Sequence, residues 1–418
     1  EPRDFPRAGH GHDHGHDDED GDDEEDEEDD DGQGDEDDDV DPDDHATTGA
    51  GTARKEVTAK IADLRNDEHR IIAQLTAAFM KLHNVFYDAA AGAGLEKKGA
   101  FEQARAQTIK TWQAVVLTDL LPALLDSATL ERVRDPSLRV LFKGALREKL
   151  AMPVEFSTAA YRLFHSRARG RYRLNNLTDG ANGPRARLFD VGNDEPNLLG
   201  GSPLTDLFYI QWSRFFGPGA EKARITDMLY SRPMLRLPVA EAGLPPAPIQ
   251  IQCPKKDAGC APIAVNGTQV CSFASDECGL VAPLAILDLS RGQTHRLPGG
   301  RQLATHVREA LGATDVEVLS VGFMAEQNVF GLPEDYVANY GDTDVPLLFY
   351  LAHESIKEQG GRGLGSLGSR IVAETLYGLI EDTKPSVLSG GVIREVSPIT
   401  GKEEVSMQDV LQYIGWWS

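Results

Sequence analysis

The chain has 418 residues, of which 40% are hydrophobic, and this is enough for one large domain or two smaller ones. The formal net charge of −25 is concentrated at one end, because residues 1–45 contain 25 acidic residues and only two arginines. The remainder is close to neutral, so no electrostatic argument favours binding to nucleic acid or to an acidic membrane. No run of 18 apolar residues occurs, and we therefore expect no membrane span.

Residues 1–56 are predicted to be a disordered segment rich in acidic residues and histidine. Such a composition cannot bury enough apolar surface to offset the entropy of ordering the chain. The stretch "HGHDHGH" contains His10, His12, His14 and His16, whose imidazoles could bind Zn²⁺, Ni²⁺ or Cu²⁺, and the acidic run could hold Ca²⁺ loosely. A solubilising linker is the alternative interpretation.

Residues 57–418 are predicted to form a mostly α domain with long loops and little β structure. Apolar residues recur at helical spacing from Ile71 to Phe86, with Asn66 or Asp67 as the expected N-cap. Pro122 is expected to limit or kink the second helix. Further helical patterns occupy 101–121, 138–149, 155–168, 203–216, 301–311, 345–358 and 368–381, and residues 170–200 are predicted to be a long loop.

Residues 243–282 interrupt the helical pattern and are predicted to be a compact insertion. They contain five prolines and all four cysteines, spaced C-x6-C-x10-C-x6-C. Zinc sites prefer shorter spacings, so disulfides are favoured, and the spacing does not select a pairing. Together with the sequons at Asn176 and Asn266, the cysteines favour an extracellular, glycosylated protein.

The segment "EFSTAAYRLFHS", residues 155–166, places His165 and Arg162 one helical turn apart. A neutral imidazole can bind a metal ion, and an arginine on the same face can pair with an anionic group of the same ligand. Small residues Ala159 and Ala160 would let a flat ligand approach closely. A structural histidine in the core is the competing interpretation.

A second candidate site begins with "RNDE", residues 65–68, directly before a strongly amphipathic helix. Arg65 and Glu68 could form a surface pair near the helix N-terminus. They could also supply a cation and a carboxylate to a ligand.

Six segments of the chain, taken in order, resemble the animal-type haem peroxidases of the peroxidase–cyclooxygenase superfamily. "RNDE" with "LTAAFMKLHN" resembles the catalytic-arginine segment, and "TWQAVVLTDLLPALL" resembles the segment that follows it. "EFSTAAYRLFHS" resembles the proximal-histidine helix. The later matches are "PLAILDLSRGQTHRLPGG", "GSRIVAETLYGLI" and "MQDVLQYIGW".

This resemblance implies a role for each matching residue. His165 would be the proximal ligand of the iron of haem b, and Arg162 would face a haem propionate. Arg65 would be the distal catalytic arginine. Glu68 corresponds to the carboxylate that forms an ester with the haem in some members of the family.

The resemblance also has gaps. The distal histidine of the family, its neighbouring aspartate and the calcium-binding loop are expected upstream of the first residue, so no calcium ligands are assigned. In the family an asparagine after the Leu-Pro segment orients the proximal histidine, and the nearest residue here is Arg301. Two explanations stay open: a separate N-terminal chain supplies the distal histidine, or the chain is a truncated homologue.

The expected function is a haem-dependent peroxidase that reduces hydrogen peroxide and oxidises a small organic or halide donor. One alternative is a weakly active or inactive haem- or metal-binding remnant. The other is a fatty-acid dioxygenase of the same superfamily. That branch carries a radical tyrosine three residues before the proximal histidine, where this chain has Arg162, and the neighbouring Tyr161 is rotated by about 100° on a helix.

Overall fold

A computed structural model of the chain describes most residues outside the acidic segment and the cysteine-rich insertion. The described residues are 4–5, 59–178, 185–188, 197–235, 237–238, 251–252, 263–265, 268–270, 280–282, 284–312, 316–320, 323–324 and 344–418. The predictions for the acidic and histidine-rich tract, for the four cysteines and for the sequon at Asn266 lie outside these residues.

The described residues form a mostly α structure, as predicted. The helices are α1 (Arg70–Gly92), α2 (Lys97–Val115), α3 (Leu121–Leu124), α4 (Ser127–Val133), α5 (Ala145–Glu148), α6 (Leu284–Thr294), α7 (Gly300–Leu311), α8 (Leu347–Gln359), α9 (Ser366–Asp382) and α10 (Met407–Tyr413). None of the helices in these ranges is long and apolar enough to cross a membrane.

The β structure is limited to short antiparallel pairings. The strands are β1 (Arg171–Tyr172), β2 (Ala186–Arg187), β3 (Leu237–Pro238), β4 (Ile251–Gln252), β5 (Ile263–Val265), β6 (Thr268–Val270), β7 (Leu280–Ala282), β8 (Leu388–Ser389) and β9 (Val392–Ile393). β1 pairs with β2, β5 with β6, and β8 with β9, while β7 lies between β3 and β4.

Two apolar cores organise the helices. The first surrounds α8 and α9, whose buried residues pack against α7, the end of the α2–α3 helix and residues 156–163. The second lies between α1, α2 and the C-terminal α10, and includes the buried Trp212. The candidate residue His165 directly follows residues that pack in the first core. The turn that carries Arg65 precedes α1, which packs in the second core.

Helix α9 carries a buried ion pair that also fixes a neighbouring loop. Arg370 Nη1 donates to Glu374 Oε1 at 2.8 Å, and both side chains are almost fully buried. The other carboxylate oxygen of Glu374 accepts the backbone N–H groups of residues 140, 141 and 142 at 2.8, 2.6 and 3.2 Å. Those amides cannot bond within a helix, which is why the predicted helix over 138–149 is wrong and only α5 forms there.

The N-terminus of α9 is capped by two carboxylates of α8. Glu354 accepts the N–H groups of Leu367 and Gly368 at 2.9 and 3.0 Å, and Glu358 accepts that of Ser366 at 2.6 Å. These are the orphan donors of a helix start. Burial raises the pKa of Glu354 to about 8. Gly365 is required here, because a Cβ atom would lie 2.3 Å from Glu354 Cγ.

The predicted helix over 203–216 is also wrong. Only two short 3₁₀ turns form, Asp206–Phe208 and Trp212–Arg214. Two amide side chains form hydrogen bonds with the backbone in this region. Gln74 Nε2 donates to Phe208 O at 2.9 Å, and Gln74 Oε1 accepts the N–H of Ile210 at 3.0 Å. Asn175 Nδ2 donates to three further carbonyl groups. These backbone groups are therefore not available for the hydrogen bonds of an α-helix over 203–216.

The second helix continues past Pro122 rather than ending before it. A π-helical turn, Val116–Leu120, joins α2 to α3, in which Pro122 lies in the first turn. The wider turn accommodates a residue that has no N–H to donate.

We expect Glu374→Gln to lower the free energy of unfolding by about 3–5 kcal/mol, because it leaves Arg370 as a buried charge without its carboxylate. Denaturant unfolding followed by circular dichroism measures the loss. Glu102→Gln is the matched control, since Glu102 pairs with Arg105 on the surface, where both side chains are more than half exposed, and should change stability by less than about 1 kcal/mol. Equal losses in the two variants would refute the buried-pair account.

Candidate functional site

His165 lies on a 3₁₀ turn, Arg162–Arg167, that follows a π-helical turn, Phe156–Ala160. The predicted helix over 155–168 is thus helical but not a regular α-helix. The side chain of His165 is 32% exposed, so one part of the ring faces outward while another is held by the protein.

The ring of His165 is held by Asp288 of helix α6. His165 Nδ1 lies 2.8 Å from Asp288 Oδ2, across 123 residues of sequence. The Tyr230 hydroxyl donates to the same oxygen at 2.9 Å, and the rings of His165 and Tyr230 make an edge contact at 6.4 Å. The side chain of Asp288 is completely buried, so its two donors replace the water that a carboxylate would otherwise bind.

Arg162 reaches the same carboxylate. Its Nη1 lies 3.6 Å from Asp288 Oδ1, and its Nε donates to the carbonyl of Ser157 at 3.0 Å. The Arg162 side chain is 25% exposed. The structure therefore brings together His165 and Arg162, as the one-turn spacing predicted, and joins them through a residue that the sequence did not single out.

The loop that carries Tyr230 is anchored to the His165 turn. Ser166 Oγ accepts the N–H of Asp227 at 3.1 Å, and Arg224 N donates to the carbonyl of Arg167 at 3.1 Å. Arg167 Nη1 also donates to Arg362 O at 2.6 Å. Burial raises the pKa of Asp227 to about 6, and burial beside Asp288 raises the pKa of Tyr230 strongly. This direction of the pKa shift favours the protonated hydroxyl of Tyr230, which can donate to Asp288.

The hydrogen bonds at Asp288 determine which nitrogen of His165 carries the proton. A carboxylate only accepts, and Tyr230 already donates to Oδ2, so Nδ1 of His165 is the protonated nitrogen. When the imidazole is neutral with its proton on Nδ1, Nε2 carries the lone pair. Within the described part of the chain Nε2 makes no hydrogen bond. A neutral histidine whose other nitrogen donates to a carboxylate is the usual arrangement of a metal ligand.

Arg65 and Glu68 lie on a different element, directly before helix α1. Arg65 is on a 3₁₀ turn, Leu64–Asp67, and its guanidinium forms a fork with Asp63 at 3.1 and 2.9 Å. Its side chain is 76% exposed. Partial desolvation raises the pKa of Glu68, and the charge of Arg65 opposes this shift. The contacts of the described residues do not join Arg65 or Glu68 to His165.

A ladder of backbone hydrogen bonds nevertheless connects the two regions. Gly200 N donates to Glu68 O, and Leu198 N donates to Arg187 O. Leu188 N then donates to the carbonyl of Gly170, five residues after His165. Gly200 must lack a side chain, because a Cβ atom would lie 1.5 Å from the Asp67 carbonyl. The turn that carries Arg65 is therefore fixed relative to the segment that leaves the His165 turn.

Other predictions around the site have mixed outcomes. Ala159 and Ala160 are fully buried in the first apolar core, so their small size serves helix packing. Tyr161 stacks on Phe156 at 5.0 Å and takes no part in the bonds around Asp288. The backbone of Arg301 is held by Asp344, and the residue that orients His165 is Asp288 instead.

Asp288 was not predicted as a site residue, although its position in the sequence indicates that it is unusual. It is the acidic residue within the apolar run "LAILDL", and a charge in such a run must find buried partners. In the described ranges no group of three or more histidine, cysteine or acidic residues is placed to hold a metal ion by itself, so no calcium site is seen there. A single histidine from the protein can hold a metal ion firmly only when the metal is already bound by other ligands.

The family comparison agrees with the motifs. Residues 30–210 match the family model described as animal haem peroxidase, and this range contains Arg65, Glu68, Arg162 and His165. The resemblance to this family is thereby confirmed for that range, whereas the similar segments after residue 210 lie outside the match. No curated protein matches the chain.

Among solved structures, the chain is similar to peroxidase A from Dictyostelium discoideum (DdPoxA). The two are 13% identical, and the alignment has a TM-score of 0.47. It covers 85% of this chain and 58% of the other. The chain thus spans less than two thirds of the length of that protein.

His69, directly after Glu68, gives a prediction about pH. It is the N-cap of α1, where its Nδ1 accepts the N–H of Ile71 at 3.4 Å, which replaces the predicted caps Asn66 and Asp67. Burial lowers the pKa of His69 from 6.5 to about 4, although a backbone hydrogen bond with Leu188 opposes the shift.

Between about pH 6.5 and 4 the unfolded chain binds a proton at His69 that the folded chain does not. We therefore expect the free energy of unfolding to fall as the pH decreases through this range, by up to about 1.4 kcal/mol per pH unit. His69→Asn keeps a capping acceptor without this titration and should flatten the dependence. Unfolding curves across the range measure it, with the exposed His306→Asn as control. An unchanged slope in His69→Asn would contradict the assignment.

Proposed function

We propose that the region matching the animal haem peroxidase family, residues 30–210, binds haem, and that His165 would be the residue that holds its iron. The observation that carries this proposal is the 2.8 Å hydrogen bond between His165 Nδ1 and the buried Asp288. It assigns the proton to Nδ1 and leaves the lone pair of Nε2 for a metal. A structural core histidine would bury both nitrogens, whereas the side chain of His165 is 32% exposed.

The residues around His165 fit the group in two further respects. Haem, when bound, supplies the iron at which peroxide is reduced. The guanidinium of Arg162, one quarter exposed, has room to pair with a carboxylate such as a haem propionate while its Nε stays on Ser157 O. Asp288 Oδ2 accepts from Tyr230 and lies 2.8 Å from His165 Nδ1, and Asp288 approaches Arg162 only through the 3.6 Å contact of Oδ1.

Arg65 is proposed to supply the cation on the peroxide side. Its guanidinium forms a fork with Asp63 at the surface, and the Arg65 side chain is 76% exposed, so the cation is accessible from solvent. A positioned cation of this kind stabilises negative charge that develops on oxygen during bond cleavage. Glu68, three residues after Arg65, is proposed to face the haem edge and to be available for an ester bond with the haem.

The activity we propose is reduction of hydrogen peroxide coupled to oxidation of a small organic or halide donor. A haem-binding protein with little turnover is the second candidate, and one observation favours it: Arg65 is exposed and bound to Asp63. Furthermore, the nearest histidine, His69, is used to cap α1. The two candidates share the His165 site and differ in whether Arg65 contributes to a reaction.

The ligand assignment predicts that His165→Ala abolishes histidine ligation. The full chain should give a Soret band of histidine-bound haem when titrated with haemin, and the variant should give the spectrum of weakly associated haem. His295→Ala changes an exposed histidine in the turn directly after α6; it is the matched control and should bind haem like the parent chain. If His165→Ala retains the histidine-bound spectrum, the proposed function is wrong.

The role of Arg65 predicts a kinetic effect without a binding effect. Arg65→Gln should lower the rate constant for reaction of the haem-loaded chain with hydrogen peroxide by about 10²–10³, while haem affinity stays unchanged. Stopped-flow absorption with a chromogenic donor measures both rates. Arg105→Gln, another exposed arginine paired on the surface, is the control. Equal rates for Arg65→Gln and the parent chain would favour the haem-binding protein over the peroxidase.

A further inference from the structure

We infer that Asp288 is the positioning residue of His165, supported by Tyr230, and that this pair takes the place that an asparagine was expected to fill. The inference rests on the proposed function, because it concerns the same ligand. It goes further in assigning to His165 Nδ1 a carboxylate partner from helix α6, which a hydroxyl group from a loop residue holds in place.

The geometry indicates that Asp288 is present as a carboxylate. Its Oδ2 faces two donors, His165 Nδ1 at 2.8 Å and Tyr230 Oη at 2.9 Å, and its Oδ1 lies 3.6 Å from Arg162 Nη1. Arg162 is a cation, and the Tyr230 hydroxyl and the Nδ1–H of His165 can both donate, so all three groups suit an accepting carboxylate. Because the side chain is fully buried, the charge depends on these neighbours.

Tyr230 fixes the direction of the carboxylate. It is 5% exposed and packs with Leu188 and Met234, so its ring has little freedom. Its loop is tied to the His165 turn through the bond from Asp227 N to Ser166 Oγ. The hydroxyl therefore holds Oδ2 at the place where the Nδ1–H of His165 meets it.

The chemical consequence is a more basic imidazole. A hydrogen bond from a ligand histidine to a carboxylate fixes the tautomer and raises the basicity of the ligating nitrogen, more than a neutral amide does. A more basic ligand stabilises ferric over ferrous iron. The chain should thus hold haem with a stronger bond to histidine and a lower Fe(III)/Fe(II) potential than a variant with a neutral partner.

The first test needs no haem. In the full chain labelled with ¹⁵N-histidine, the His165 signal, identified by its loss in His165→Gln, should show the proton on Nδ1. In Asp288→Asn this preference should weaken, and in Tyr230→Phe it should weaken less. Tyr413→Phe, at a half-exposed ring that touches Phe86, is the control and should leave the signal unchanged.

The second test uses the chain loaded with haemin. Asp288→Asn should lower the iron–histidine stretching frequency in the resonance Raman spectrum of the ferrous state, raise the Fe(III)/Fe(II) potential, and weaken haem binding about tenfold. Tyr230→Phe, which keeps the ring and its packing, should shift the frequency in the same direction by a smaller amount.

The outcomes separate the two proposals. If His165→Ala loses histidine ligation but Asp288→Asn leaves tautomer, frequency and potential unchanged, the positioning role is refuted and the haem site stands. If His165→Ala keeps histidine ligation, the haem site itself is refuted. A change of stability in Asp288→Asn with no change in these signatures also refutes positioning, since a purely structural residue would behave in that way.

Discussion

The buried carboxylate of Asp288 is the interaction on which the candidate site depends. It joins three segments that are far apart in sequence: the turn that carries His165 and Arg162, the loop that carries Tyr230, and helix α6. A fully buried negative charge is tolerated only with such partners. The contacts that hold Asp288 Oδ2 therefore also hold the ring of His165 in the candidate site.

Buried carboxylates serve as organising groups elsewhere in the fold, but with different partners. Glu374 and Glu354 accept mainly backbone N–H groups, which closes a loop in one case and a helix N-terminus in the other. Neither faces a side chain that could bind a ligand. Asp288 differs because its strongest partner is a histidine whose second nitrogen is available. This difference in partners, rather than burial itself, is the reason that we propose a role in the candidate site for Asp288 and not for Glu374 or Glu354.

The sequence predicted the long helices best. Helices α1, α7, α8 and α9 were expected from apolar residues at helical spacing, and they form nearly as predicted. The predictions over 138–149 and 203–216 were wrong, because Glu374, Gln74 and Asn175 take the backbone groups that a helix would need. Those partners lie more than thirty residues away, and no local pattern reveals them.

The candidate site was predictable in part for the same reason. His165 and Arg162 share one turn, so their spacing placed them together. Asp288 is 123 residues from His165, and only folding makes them neighbours. The turn that carries Arg65 is held by backbone hydrogen bonds such as that from Gly200 N to Glu68 O, whereas the Arg65 side chain is exposed.

The most direct measurement is a crystal structure of the full chain grown with haemin, with anomalous diffraction recorded at the iron absorption edge. The account predicts one strong iron peak within bonding distance of His165 Nε2, with Asp288 still bonded to Nδ1. An iron peak bound to another residue, or an ordered haem whose iron is not coordinated by His165, would contradict it.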